Sequence, residues 1–375
     1  MGSNEVVITG TGLFTPPHSI SNEELAASLT IAVTRWNEEH ADEIERGELV
    51  ARTLPDPEFI EKASGIKSRY VMDKVGVLDP DRLRPHLPTR SEDEHSLQVE
   101  MALPAVLAAL AQAGRQPHEV DCVIVGCSNI QRAYPAVAIE LQHALGAGGW
   151  GYDMNVACSS ATFSMQAGVD ALKNGSANCV VVVHPEITSG HNNFALRDHH
   201  FIFGDACTAV VLERAADAVA AEQWRVLGLK LSTSYSNAIR NDFGFLNPCE
   251  DEPRVPFELV FRQQGQRVFK DVVPMVVEHI NAQLEQVDME AGAIRRFWLH
   301  QANLKMNQLI AKHVLGRVPD ELEAPVILDT YANTSSAGCI IAFHLHRADM
   351  ASGDLGVLCS FGAGYSIGSL VIQKS

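Results

Sequence analysis

Cys158 stands in Tyr152-Asp153-Met154-Asn155-Val156-Ala157-Cys158-Ser159-Ser160-Ala161-Thr162, a strand-like run that passes into helical spacing from Phe163 to Lys173. A thiol at that junction faces unpaired N–H groups and the positive end of a helix dipole, both of which favour thiolate. A buried structural cysteine is the competing reading. His300 closes the apolar run Trp298-Leu299-His300 and is followed by Gln301-Ala302-Asn303. It is placed at the carboxyl end of a strand, where open α/β sheets carry their ligand chemistry, although any one of fifteen histidines could be structural. Asn333, in Asp329-Thr330-Tyr331-Ala332-Asn333-Thr334-Ser335-Ser336-Ala337-Gly338, has a helix-capping position, and capping alone would account for it. Ser360-Phe361-Gly362-Ala363-Gly364-Tyr365-Ser366 is a small-residue turn that can bring backbone N–H groups close to a ligand, or is a plain tight turn.

The elements that must position these residues fall into two matching series. The first has a strand from Val6 to Gly12, a helix from Val99 to Gly114, a strand from Cys122 to Gly126 and a helix from Pro135 to Leu145. It continues through the Cys158 elbow and strands over 178–184 and 205–213. The second opens at Trp224 and has helices over 269–286 and 305–315, a strand over 297–300, an elbow at Asn333, a helix through Arg347 and strands over 356–361 and 369–372. The Cys158 and Asn333 elbows correspond at an offset of roughly 175 residues, far longer than a solenoid period. Such alternation predicts mainly parallel sheets covered on both faces, with the duplicated halves, 1–220 and 221–375, packed back to back. Segments 28–57 and 73–95 read as surface excursions.

The formal net charge of -17 excludes general binding to nucleic acid or to an anionic membrane surface. Eight cysteines lie mostly within apolar runs, with no CxxC pair and no zinc spacing, as expected of reduced thiols. The chain enters directly into Glu5-Val6-Val7-Ile8 and has no apolar run of membrane-spanning length. The expectation is a soluble cytoplasmic protein.

Ala157-Cys158, Phe203-Gly204-Asp205, His300-Gln301-Ala302-Asn303, Tyr331-Ala332-Asn333-Thr334-Ser335 and Phe361-Gly362-Ala363-Gly364 together resemble, in order and over nearly the whole chain, the beta-ketoacyl-acyl-carrier-protein synthase III family of thiolase-fold condensing enzymes. The resemblance implies a five-layered αβαβα fold and a homodimer that condenses an acyl-coenzyme A starter with malonyl-acyl-carrier protein, with no metal or redox cofactor. It implies Cys158 as nucleophile, the N–H groups of Cys158 and Ala363 as oxyanion hole, and His300 with Asn333 as the donors that hold the malonyl carbonyl. It further implies Asn303, Phe59, Tyr134 and Phe203 as substrate contacts, Tyr134 lying on a loop that closes the partner's acyl tunnel. Lys305, Lys312, Arg295 and Arg296 are the candidate cations for an acidic carrier protein, a solvated face being the competing reading.

Two departures stand out. The family's Trp-x-x-x-Arg clamp for the adenine of coenzyme A reads Phe59 and Ala63 here, and the chain carries the two extra segments. They favour a medium-chain acyl group over acetyl and leave open a non-coenzyme A donor. An acyltransferase on the same fold, passing acyl groups without decarboxylation, and a specialised ketosynthase of secondary metabolism are the alternatives.

Overall fold

The computed structural model describes residues 5–255 and 258–375. Its strands are β1 (Val6–Phe14), β2 (His18–Ser21), β3 (Ser68–Val71), β4 (Cys122–Gly126), β5 (Trp150–Met154), β6 (Cys179–Glu186), β7 (Ala206–Arg214), β8 (Trp224–Ser236), β9 (Ile239–Asn241), β10 (Phe261–Gln263), β11 (Ile294–Leu299), β12 (Leu355–Gly362) and β13 (Gly364–Lys374). The helices are α1 (Asn22–Glu39), α2 (Ala41–Glu45), α3 (Pro57–Ser64), α4 (Lys74–Leu78), α5 (Leu97–Ala113), α6 (Val137–Leu145), α7 (Ser160–Lys173), α8 (Gly265–Gln286), α9 (Leu304–Leu315), α10 (Leu328–Tyr331) and α11 (Ala337–Leu345).

Nine strands form one sheet in the order β11-β12-β13-β8-β1-β7-β6-β4-β5. The order is symmetric about the β1–β8 junction: β4, β6, β7 and β1 on one side answer to β11, β12, β13 and β8 on the other. Among the described residues Val7↔Arg225 and Ile8↔Trp224 alone pair across that junction, so a short antiparallel contact fuses the halves. Parallel pairing is confined to β4/β5, β4/β6 and β11/β12; the other five pairs are antiparallel, so the sheet is mixed, contrary to the mainly parallel expectation. The reason is local. β12 turns straight back into β13 at Ala363 and needs no crossover helix.

Helices α7 and α11 lie between the half-sheets in one apolar cluster with Met165, Val169, Ile340 and Phe343. Trp224, Trp298 and Phe343 meet edge to face there, with centroids 4.9–5.7 Å apart. Each such pair adds about 0.5–1.5 kcal/mol beyond burial. Helices α5 and α6 cover the outer face of the first half, and α8 and α9 that of the second, which gives the five layers αβαβα. Close approach of α5 to β1 explains Gly10 and Gly12: a Cβ at either would fall within 2.0 Å of a carbonyl oxygen, of Ala109 and Ala105 respectively. Within 28–57 the chain completes α1 and forms α2, and 73–95 holds only α4. Among the described residues no helix is long and apolar enough to cross a membrane.

Candidate active site

The two elbows share a backbone device. Ala157, before Cys158, has φ 48°, and Ala332, before Asn333, has φ 55°. Left-handed conformations of this kind in residues other than glycine cost roughly 1–3 kcal/mol and persist only where the surroundings enforce them. At the first elbow β5 ends at Met154 and α7 begins at Ser160. Asn155 Oδ1 accepts from Ala157 N–H at 2.9 Å. Ser159 Oγ donates to Ser366 O at 3.0 Å, and the Thr162 and Ser360 hydroxyls are 2.6 Å apart, which fastens the elbow to the β12–β13 turn. At the second elbow no strand precedes Asn333. The short helix α10 takes its place, and Asn333 forms a parallel bridge with Phe203.

A cavity of about 230 Å³ brings Cys158, His300 and Asn333 together, with Phe203, Asn303 and Phe361 among its walls. Asn333 Oδ1 accepts from Ser335 N–H at 2.9 Å, which leaves its Nδ2 as the donor for a ligand. His300 is buried, its backbone N–H donates to Cys359 O at 2.7 Å, and its ring packs perpendicular to Phe361. Burial lowers its pKa to about 4, so it enters neutral-pH chemistry as an uncharged imidazole. Gln301, also buried, accepts from Ile327 N–H and Leu328 N–H and donates to Leu299 O, tying the histidine strand to the segment before Asn333.

Cys158 differs from the dipole argument. Desolvation pushes its thiol up to about 11. The Ser335 hydroxyl, 3.5 Å from Sγ, and the N–H groups of Cys158 and Ala363 pull the other way without overcoming it. The same two N–H groups thus converge beside the sulfur, where a carbonyl oxygen under attack would develop charge. Gly362 faces Cys158 so closely that a Cβ there would lie 2.7 Å from Cys158 Cβ.

The remaining predicted residues are distributed as follows. Asn303 caps α9, accepting from Lys305 N–H and Met306 N–H, and donates Nδ2 to Ala63 O at 3.1 Å. Phe203 is buried against His191 and Phe261. Phe59 is 43% exposed and does not line the cavity, but the Arg197 guanidinium lies over its ring at 5.0 Å. A guanidinium thus stands beside Phe59 although position 63 is alanine, a neighbour that spacing could not reveal. Tyr134 is 85% exposed and lies outside the cavity. Lys305 and Lys312 are exposed on α9. Arg295 is exposed but within 3.2 Å of Asp354. Arg296 is a correction: it is buried, donates to Leu322 O and His346 O and pairs with Asp349, so it cannot serve as a docking cation. Among the described residues no group of three or more His, Cys, Asp or Glu side chains converges as a metal site would.

The family described as 3-oxoacyl-[acyl-carrier-protein] synthase III matches residues 152–234, and its C-terminal counterpart matches 284–374. A beta-ketodecanoyl-[acyl-carrier-protein] synthase of Pseudomonas aeruginosa is 54% identical over 347 residues, 92% of this chain and 99% of the relative. A beta-ketoacyl-[acyl-carrier-protein] synthase III of Bartonella bacilliformis is 30% identical over 284 residues, 75% of this chain and 85% of the relative. The crystal structure of the 3-oxoacyl-[acyl-carrier-protein] synthase III of Aquifex aeolicus superposes with a TM-score of 0.74 at 23% identity, covering 98% of this chain and 99% of that one.

Proposed function

This chain belongs to the 3-oxoacyl-[acyl-carrier-protein] synthase III family of condensing acyltransferases, and from that premise we propose how its residues perform a decarboxylative condensation of an acyl thioester with malonyl-acyl-carrier protein. The observation that carries the reading is the convergence of Cys158, His300 and Asn333 on one cavity. Cys158 Sγ attacks the acyl carbonyl; the oxyanion is held by the Cys158 and Ala363 N–H groups; the thioester C–S bond breaks, and the thiol proton leaves with the departing carrier. Malonyl thioester then binds with its carbonyl oxygen between His300 Nε2 and Asn333 Nδ2. The C–C bond to the carboxylate breaks, carbon dioxide leaves, and the two donors hold the enolate. Its carbon attacks acyl-Cys158, and collapse of the tetrahedral intermediate expels the Cys158 thiolate, which takes a proton from water, the one proton that the overall reaction consumes.

Coenzyme A is the proposed donor carrier, with Phe59 and Arg197 gripping its base end as a ring and a guanidinium. The donor is of medium length: a ketodecanoyl product, as in the name of the Pseudomonas relative, contains two carbons from malonate and so an eight-carbon starter. The apolar walls at Phe203, Phe261 and Phe269 suit such a chain. Lys305 and Lys312 offer the acidic carrier protein exposed positive charge. The working form is a homodimer in the cytoplasm, Tyr134 reaching the partner's acyl site. The scheme calls on no cofactor.

The test supplies acyl-coenzyme A esters from two to twelve carbons with carboxyl-labelled malonyl-carrier protein. Expected is one carbon dioxide released per 3-oxoacyl carrier formed, with the highest kcat/KM at eight carbons. Acyl transfer without carbon dioxide release would instead make the chain a non-decarboxylating acyltransferase.

A further inference from the structure

Behind the cavity lies a carboxylate that the condensation scheme does not use. Glu186 ends β6 and is fully buried, and no ion pair joins it to a cation among the described residues. An unpaired buried carboxylate costs several kcal/mol unless hydrogen bonds replace its hydration. Here they do. Oε1 accepts from Ser128 N–H at 3.0 Å and Ser336 N–H at 3.1 Å and meets the Ser336 hydroxyl; Oε2 accepts from the Ser128 hydroxyl at 2.6 Å and faces Cys127 Sγ at 3.5 Å.

Both serines lead directly to reacting residues. Ser128 O accepts from Asn155 Nδ2 at 3.0 Å, and Asn155 Oδ1 in turn holds the N–H of Ala157, the left-handed residue before Cys158. Ser336 immediately precedes α11 and follows Ser335, whose N–H fixes the Asn333 amide and whose hydroxyl meets Cys158 Sγ. The carboxylate is therefore a single node between an elbow of the first half and an elbow of the second.

We propose that Glu186 is a positioning residue that locks the two elbows together, fixing Cys158 and Asn333 relative to each other. This rests on the roles given to those two residues above. Misplacement by about 1 Å costs roughly 100-fold in rate, so a clamp at this node has the leverage to set activity. Burial first, and the Glu186 carboxylate after it, oppose thiolate at Cys158. The other titratable groups around the sulfur are the Cys339 thiol, the neutral His300 imidazole and, at the cavity wall, Asp198.

The experiment compares Glu186→Ala and Glu186→Gln. Glu186→Ala is expected to lower kcat for condensation roughly 10–100-fold with little change in KM, and Glu186→Gln, which keeps one acceptor oxygen, to recover about tenfold of that loss. In Glu186→Gln the pH midpoint of iodoacetamide alkylation at Cys158 should move down, a readout that a purely structural role would leave in place. An unmoved midpoint, or a kcat for Glu186→Ala within about threefold of the parent, overturns the proposal. Should Glu186→Ala fail to fold, Ser336→Ala and Ser128→Ala each remove the hydroxyl contact of one arm and leave its backbone N–H bond in place. The first should slow malonyl decarboxylation and spare Cys158 alkylation, the second should slow acylation, and parental rates in both would overturn the clamp. Alkylation reports on the thiol whether or not it is the acyl acceptor. A parent enzyme that never forms acyl-Cys158 would therefore refute the proposed mechanism separately.

Discussion

Gly362→Ala would add one methyl group at the point where the β12–β13 turn meets the nucleophile. Its Cβ would lie 2.7 Å from Cys158 Cβ and 3.1 Å from Sγ. Carbon atoms pack at about 3.5–4.0 Å, so the shortfall is roughly 1 Å. Neither side has slack. Gly362 is paired with Ser366 in the β12–β13 ladder, and the Cys158 elbow is held by Ser159 N–H to Val156 O and Ser159 Oγ to Ser366 O, each at 3.0 Å. No flexible side-chain end is available to move aside, so the elbow itself must shift. Overpacking of this kind costs about 1–3 kcal/mol of stability. A displacement of about 1 Å at the nucleophile costs roughly 100-fold in acylation. Rapid-quench single turnovers with acyl-coenzyme A, read as intact-protein mass, give the acylation rate, and calorimetry gives the melting temperature. The variant should melt a few degrees lower and acylate about two orders of magnitude more slowly. An acylation rate within about threefold of the parent would refute the claim that this contact sets the sulfur's position.

Burial holds His184, His191, His200, His279, His300 and His344 at about 4, against an ordinary value near 6.5. The unfolded chain therefore binds protons first as pH falls. Their stability contribution is complete above about 6.5 and lost as pH falls through 4; calorimetry at pH 7.5, 5.5 and 4.5 should find the melting temperature falling throughout, and a flat profile would contradict the burial argument. Arg296→Ala should lower the melting temperature and leave KM for malonyl-carrier protein unchanged, whereas Lys305→Glu should raise that KM severalfold, more at low salt, without a stability loss; steady-state kinetics at two ionic strengths separates them, and equal KM effects would reject the division. Phe59→Ala and Arg197→Ala should each raise KM for acyl-coenzyme A but not for the truncated acyl-pantetheine thioester; equal effects on both would remove the base-clamp role.

Much of this organisation is written in local pattern. Strands such as Cys122–Gly126 and helices such as Leu304–Leu315 follow from runs and spacing of apolar residues, and Cys158 and Asn333 sit in recognisable elbows while His300 follows the end of a strand. Other features depend on distant partners. Val326-Ile327-Leu328 resembles the apolar lead-in to the first elbow, yet the chain there turns into α10 because Gln301 captures the Ile327 and Leu328 N–H groups. The single sheet depends on two residue pairs between β1 and β8. Desolvation at Cys158 is set by walls contributed from both halves, so the dipole argument alone gave the wrong direction. Arg295-Arg296 reads as a paired surface charge, but strand alternation sends one side chain to solvent and the other inward to Asp349. Arg197 reaches Phe59 only through tertiary packing, and Glu186 ends a buried strand with nothing nearby in sequence to announce its five contacts.

The most direct measurement is intact-protein mass spectrometry of the parent, Cys158→Ala and Asn333→Ala after incubation with octanoyl-coenzyme A and then malonyl-carrier protein. The parent should gain one octanoyl group and discharge it as a ten-carbon 3-oxoacyl carrier. Cys158→Ala should gain nothing. Asn333→Ala should acylate normally but lose about 100–1,000-fold in discharge, the usual effect of removing one oxyanion donor. An acyl adduct that forms on Cys158→Ala, or an Asn333→Ala enzyme that discharges at the parental rate, would contradict the division of labour between the two elbows.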